Sequence, residues 1–188
     1  VGAAVEALAA SGCNFREAPM LRNLVLAFFV LSLTVSAVAQ NAPAAPTVVT
    51  QDADLKKVVP DSYFFRGLSA TTQLRNSSAI HYPDGFFVIA GLVDTSGYSS
   101  DIKAKYTGLF ITEKTLKFGS SSLAPGQYGM GYTADGKFHI MNVAGDELLV
   151  SDIKVDDKLA RPQPLKIMMD GATAKLYLGK KFVTFTAQ

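Results

Sequence analysis

The chain has 188 residues, a formal net charge of +2 and a single cysteine, Cys13. Eighteen basic residues against sixteen acidic ones supply neither the cationic face that nucleic acid requires nor a polybasic membrane patch. One cysteine excludes a disulfide within the chain.

Residues 1–19, VGAAVEALAASGCNFREAP, carry Glu6 and Glu17 and no basic start, and read as an over-extended gene start. From Met20 the pattern changes. Arg22 supplies a positive head, Leu24–Val35 an apolar run, and Ala37-Val38-Ala39 a small-x-small cleavage site before Gln40. That order is the pattern of a secretory signal peptide over 20–39. The expected mature chain, 40–188, is secreted or periplasmic, has no transmembrane segment after cleavage, and has no cysteine.

The Ala/Pro-rich start of the mature chain predicts a flexible or loosely packed lead-in over 40–60. Asp52–Val59 reads as a short helical turn or a short strand, stopped by Pro60. Residues 61–188 read as a single β domain. SYFFRG (62–67) is aromatic-rich, Phe86–Val93 is a continuous apolar run, and the runs within 113–150 are four to eight residues long. Each ends in Gly, Asp or Pro. SATTQLRNSSAI (69–80) is ambiguous between strand and short helix. The polar connector from Asp94 has room for a helical turn through Asp101–Tyr106. Glu113–Val150 reads as a meander. Residues 152–163 read as a surface excursion. Asp170-Gly171 and Leu178-Gly179-Lys180 mark turns, and Phe182–Ala187 alternates with the strand period of two. The predicted fold is mainly β: an antiparallel β-sandwich or a small, partly open β-barrel, with at most one or two short helices.

The segment LAPGQYGMGYTADGKF (123–138) carries four glycines. Its G-x-x-G-x-G spacing reverses that of a dinucleotide loop, and a strand follows where a phosphate site needs a helix. Alternation puts Tyr128, Met130 and Tyr132 on one face of a strand and Gly129 and Gly131 on the other. Asp135-Gly136 is a hairpin turn. Pro125-Gly126 is a turn in which Gly126 can take positive φ. A bulge, a close backbone or an aromatic ring would account for the two bare glycines.

Other chemistry is sparse. His81 and His139 have no further ligands at metal-binding spacing, so no metal and no cofactor is expected. No serine sits in G-x-S-x-G. The acids lie at turns. Asp94-Thr95-Ser96-Gly97-Tyr98, directly after an apolar strand, is the candidate binding loop. The candidate ligand-binding set is Asp94, Thr95, Ser96, Tyr98, Tyr128 and Tyr132, since tyrosines stack on sugars and contact proteins.

Residues 90–132, AGLVDTSGYSSDIKAKYTGLFITEKTLKFGSSSLAPGQYGMGY, resemble a group of small secreted bacterial proteins of unassigned function. The likeness continues through ARPQPL (160–165) over most of the mature chain. LAPGQYGMGYTADGKF is similar, more weakly, to β-modules of transthyretin-like periplasmic domains. These resemblances imply secretion and a β fold, and they bring no catalytic residue. The expectation is an exported β domain with a non-catalytic binding or envelope-associated role and a protein or glycan partner. The alternative is a small secreted hydrolase or carbohydrate-active domain.

Overall fold

The computed structural model describes residues 44–188. The expected gene start, signal peptide and first residues of the lead-in lie outside the described residues. From Ala44 the chain forms two antiparallel sheets that close into no barrel, a sandwich-like β fold with two short helices. The first sheet has the order β1 (Thr47–Val49), β3 (Leu68–His81), β4 (Phe87–Val93), β5 (Gly108–Thr112), β8 (Gly126–Tyr132), β9 (Lys137–Met141), β10 (Glu147–Asp152). Strand β2 (Ser62–Phe65) pairs with the start of β3. The second sheet has the order β12 (Gln163–Asp170), β13 (Thr173–Gly179), β14 (Lys181–Ala187), β6 (Leu116–Phe118), β7 (Ser121–Leu123), and β11 (Lys154–Val155) adds to β14.

The main core lies between the sheets. Phe110 and Phe138 of the first sheet meet Phe118 and Phe185 of the second, all nearly inaccessible to water. Phe110 stands edge-on to Phe185 at 5.8 Å between centroids, and Phe118 stacks on Phe138 at 5.9 Å. Each such ring contributes about 1.5–3 kcal/mol by burial.

A second core covers the outer face of the first sheet. Leu55 and Val59, Tyr63 and Phe65 of β2, and Tyr98 and Tyr106 pack on Ala79, Ile89, Leu109 and Met141. The expected loose lead-in is therefore corrected from Thr47 onward. β1 pairs with Ala79–His81, and helix α1 (Asp52–Val58) buries Leu55. Asp52 and Asp54 in its first turn and Lys56 and Lys57 in its last suit the helix dipole.

The ambiguous 69–80 segment is strand. It bends between Thr72 and Ser77, where the pairing with β4 breaks register. The connector holds a turn at Thr95–Tyr98 and helix α2 (Ser100–Lys103). The expected meander is also corrected. After β5 the chain crosses to the second sheet, forms the β6–β7 hairpin, and returns as β8 to pair with β5. Strand period cannot distinguish these paths, because both sheets bury alternate residues.

Candidate functional site

Strand β8 has the predicted alternation. Tyr128, Met130 and Tyr132 face the inter-sheet core, and the Tyr132 hydroxyl donates to the Leu176 carbonyl of the opposite sheet at 2.8 Å. Gly129 and Gly131 face outward, and both are covered. A Cβ on Gly129 would lie 2.6 Å from Cε2 of Phe65. A Cβ on Gly131 would overlap the Lys105 carbonyl oxygen, with the carbonyl carbon 2.5 Å away. One glycine admits an aromatic ring and the other a crossing backbone, so neither exposes main chain to a ligand.

The Asp135-Gly136 turn is present. Gly136 has φ +81°, and the Thr133 N–H donates to the Lys137 carbonyl at 2.9 Å. The reason for Gly126 differs from the expected one: it is not among the positive-φ glycines. Instead the Tyr128 ring folds back over it, with the Tyr128 hydroxyl 2.7 Å from where a Cβ would be and donating to the Ala124 carbonyl just before Pro125 at 2.8 Å.

The Asp94 loop is a self-contained turn. The Ser96 N–H donates to Asp94 Oδ1 at 2.9 Å, and this bond holds the Asp94 carboxyl below its usual range. Thr95 is half-buried and accepts from the Tyr98 N–H at its carbonyl. Tyr98 is buried and anchors the β2–β3 turn. Its single hydroxyl proton is shared between the Phe65 and Leu68 carbonyls, each 3.0 Å away. The six candidate residues are thus not brought together. Tyr98 belongs to the outer core, Tyr128 and Tyr132 belong to the inner one, and Asp94, Thr95 and Ser96 stay at the loop.

None of the seven tyrosines is exposed. Burial raises the pKa of every one. Tyr63 is pushed to about 12, and Tyr106 and Tyr132 are pushed higher still. The hydroxyls of Tyr63 and Tyr106 are buried with no hydrogen-bond partner. Because the folded values exceed the unfolded one, the neutral phenols favour the fold below pH 10. That contribution is lost as pH rises from 10 through the folded values. Absorbance at 295 nm should therefore stay flat past pH 10 and then rise in one step with the far-ultraviolet unfolding transition. A graded rise near pH 10 with the fold intact would show exposed phenols.

Sequence reasoning missed one constellation. His139 Nδ1 lies 2.5 Å from Glu147 Oε2, and its Nε2 lies 3.2 Å from the Thr133 hydroxyl. The pairing register puts His139 opposite Gly131, with Thr133 its diagonal neighbour on the same face. Glu147 joins them through a bulge at Leu148, where Glu147 opposes Met141 and Leu149 opposes Ile140. The extra residue turns Glu147 outward when plain alternation with the buried Leu149 would point it inward. An acid, an imidazole and a hydroxyl in line have the order of a nucleophilic relay. Here the Thr133 hydroxyl also donates to Asp135 and to the Lys137 carbonyl, and the bond from Thr133 holds the Asp135 carboxyl low. The proton a nucleophile must surrender to the imidazole is thus held by two acceptor-only groups, and the string braces the β8–β9 turn.

Five of the seven large exposed apolar side chains among the described residues lie elsewhere, on the β2–β3 and β9–β10 hairpins; Phe86 and Val155 are not among them. The β2–β3 hairpin turns at Arg66 and Gly67, both at positive φ, and crosses to the β9–β10 turn. There the Arg66 N–H donates to the Val143 carbonyl at 2.9 Å, and the Arg66 side chain lies across Gly145. Phe64 and Leu68 flank this tip, Val143 lies beneath it, and Leu148 and Val150 follow on β10, the last strand of its sheet among the described residues. Phe64 is 58% exposed and Leu148 53%. Among the described residues no group of three His, Cys, Asp or Glu side chains has metal-binding geometry, and no helix is long and apolar enough to cross a membrane. Comparison of the chain with protein-family models, curated proteins and solved structures gives no match.

Proposed function

We propose that this is an exported, non-catalytic binding domain that takes a protein partner at the β10 edge, in the periplasm or outside the cell. The observation that carries the reading is the grouping of Phe64, Leu68, Val143, Leu148 and Val150 on two elements joined through Arg66. Exposed apolar side chains grouped in this way mark interaction surfaces. An open strand edge offers main-chain hydrogen bonds to an extended segment. β10 begins with Glu147 and ends with Asp152. Antiparallel pairing of two copies would set these acids against each other, which disfavours self-association. An extended partner with apolar alternate residues and basic flanks suits the edge better. Export rests on the charge, apolar run and Ala37-Val38-Ala39 order of residues 20–39.

An array of ten-residue peptides probed with the 40–188 chain tests this reading. Apolar-alternating, Lys/Arg-flanked peptides should bind the wild type and lose at least tenfold in affinity with Leu148→Lys/Val150→Lys. Equal binding by that variant, with an unchanged thermal transition, would remove β10 from the proposal. The second reading, a hydrolase built on the Glu147–His139–Thr133 string, requires the Thr133 proton to leave Asp135 and the Lys137 carbonyl for the imidazole. Ester hydrolysis by the wild type, abolished in both His139→Ala and Thr133→Val, would establish that reading instead.

A further inference from the structure

On the other side of the molecule, away from β10, the edges of the two sheets meet over a cleft of about 320 Å³. Its walls come from three places. Thr50, Asp52 and Leu55 stand at the start of α1, Arg75, Ser77 and Ser78 on β3, and Gln163 to Lys166 on β12. Both strands are irregular here. β3 leaves its register with β4 between Thr72 and Ser77, so residues 73–76 loop out. β12 leaves its register with β13 between Gln163 and Lys166. Bulges recur where a strand must re-aim side chains for a site. The loop in β3 is closed by its own bonds: Asn76 donates to the Gln73 side chain at 2.7 Å, and the Ser77 hydroxyl donates to the Gln73 carbonyl at 3.0 Å. Arg75, within that loop, has no part in closing it.

Two cations line the cleft, Arg75 and Lys166. Among the described residues neither has a carboxylate within ion-pair distance. Most lysines and arginines among the described residues share that property, so it is their meeting over one cleft that sets these two apart. Around the two cations are hydroxyls (Thr50, Ser77, Ser78), an amide (Gln163) and one acceptor carboxylate (Asp52). Leu55, Pro164 and Leu165 add an apolar floor. Pro164 also removes a main-chain donor from β12, the last strand of its sheet, so this edge is poorly suited to adding another strand.

We infer that this cleft binds a small anionic carbohydrate. Arg75 and Lys166 take the charged group, Thr50, Ser78, Gln163 and Asp52 take ring hydroxyls, and Pro164 lies against the C–H face. The volume is at the lower end of ordinary ligand pockets and suits one or two sugar rings rather than a polymer. A guanidinium meets a planar carboxylate or a phosphate with paired donors, and an ammonium adds a point charge. The charged group is therefore either a uronate carboxylate or a sugar phosphate. This site is independent of the β10 surface.

Backbone amide shifts of the 40–188 chain, titrated with glucuronate, glucose 6-phosphate, inorganic phosphate and glucose, read the site directly. Glucuronate or glucose 6-phosphate should move the amides of Thr50, Ser77, Ser78 and Gln163 and bind at least tenfold more tightly than glucose. Arg75→Gln/Lys166→Gln should lose that preference, and added salt should weaken binding of the anions but not of glucose. Which of the two anions binds more tightly identifies the charged group. Phosphate alone matching glucose 6-phosphate would exclude the sugar subsite. Shifts elsewhere in the molecule, no shift with any of the four, or unchanged affinity in the double variant would each overturn the inference. The Leu148→Lys/Val150→Lys variant of β10 should leave these titrations unaltered, which separates the failure of one site from that of the other.

Discussion

Gly131→Ala should cost about 3–5 kcal/mol and lower the thermal midpoint by roughly 10 °C. The added methyl would overlap a backbone carbonyl, that of Lys105, and not the end of a flexible side chain. That carbonyl cannot withdraw easily. The N–H groups of Lys105 and Tyr106 both donate to Ile102, at 3.0 and 2.8 Å, and the Thr107 N–H donates to Met130 of β8 at 2.8 Å. Lifting the crossing segment would break the Thr107 bond and move Tyr106, which is fully buried in the outer core. Two other glycines separate steric room from backbone conformation. Gly97 has open space around it and no positive φ, so its alanine variant should stay within about 0.5 kcal/mol of wild type. Gly136 has open space but φ +81°, so its variant should lose about 1–2 kcal/mol. Urea unfolding of the three variants checks the order. A Gly131→Ala protein as stable as Gly97→Ala would mean that the 105–107 segment does not cross β8 as described.

The comparison of these glycines shows what was legible in the sequence. The alternation in GQYGMGY correctly put three large side chains on one face, and Asp135-Gly136 correctly marked the turn. Both are local properties, set by a period of two and by one residue's tolerance of positive φ. What covers Gly129 and Gly131 was not legible. Phe65 and Lys105 reach them from 64 and 26 residues earlier in the chain, and no local pattern encodes that approach. Tyr98 misled for the same reason. A tyrosine in a polar loop reads as a contact residue, yet its hydroxyl closes the Phe65–Leu68 turn. The Thr133–His139 pair follows from the register once the Asp-Gly turn is placed. Glu147 does not, because the Leu148 bulge reverses its face. Two features of the cleft, the looped segment of β3 and the break in β12, are likewise departures from period two, which is why Arg75 and Lys166 carried no sequence signal as a pair.

Phe65→Ala should cost a further 3–5 kcal/mol or so, and its coupling to Gly129 makes it the sharper measurement. The ring is almost completely buried and stacks on Tyr106 at 4.0 Å with an interplanar angle of 18°. It also meets Tyr98 at 6.3 Å and fills the space above Gly129. Removing it leaves a cavity walled by two tyrosine rings and a glycine backbone, too rigid to collapse fully. Gly129→Ala alone should cost about 1–3 kcal/mol, because its methyl meets the edge of the Phe65 ring. In the double variant that methyl occupies part of the vacated space instead of striking the ring. The double variant should therefore be more stable than the sum of the single losses predicts, by about 1–2 kcal/mol. An additive result would show that the ring does not lie over Gly129. The same variant bears on the β10 surface, because Phe65 fixes the hairpin whose tip carries Phe64, Arg66 and Leu68. If that hairpin holds the apolar side chains in place, Phe65→Ala should weaken peptide capture while leaving anion titration at the β3–β12 cleft intact.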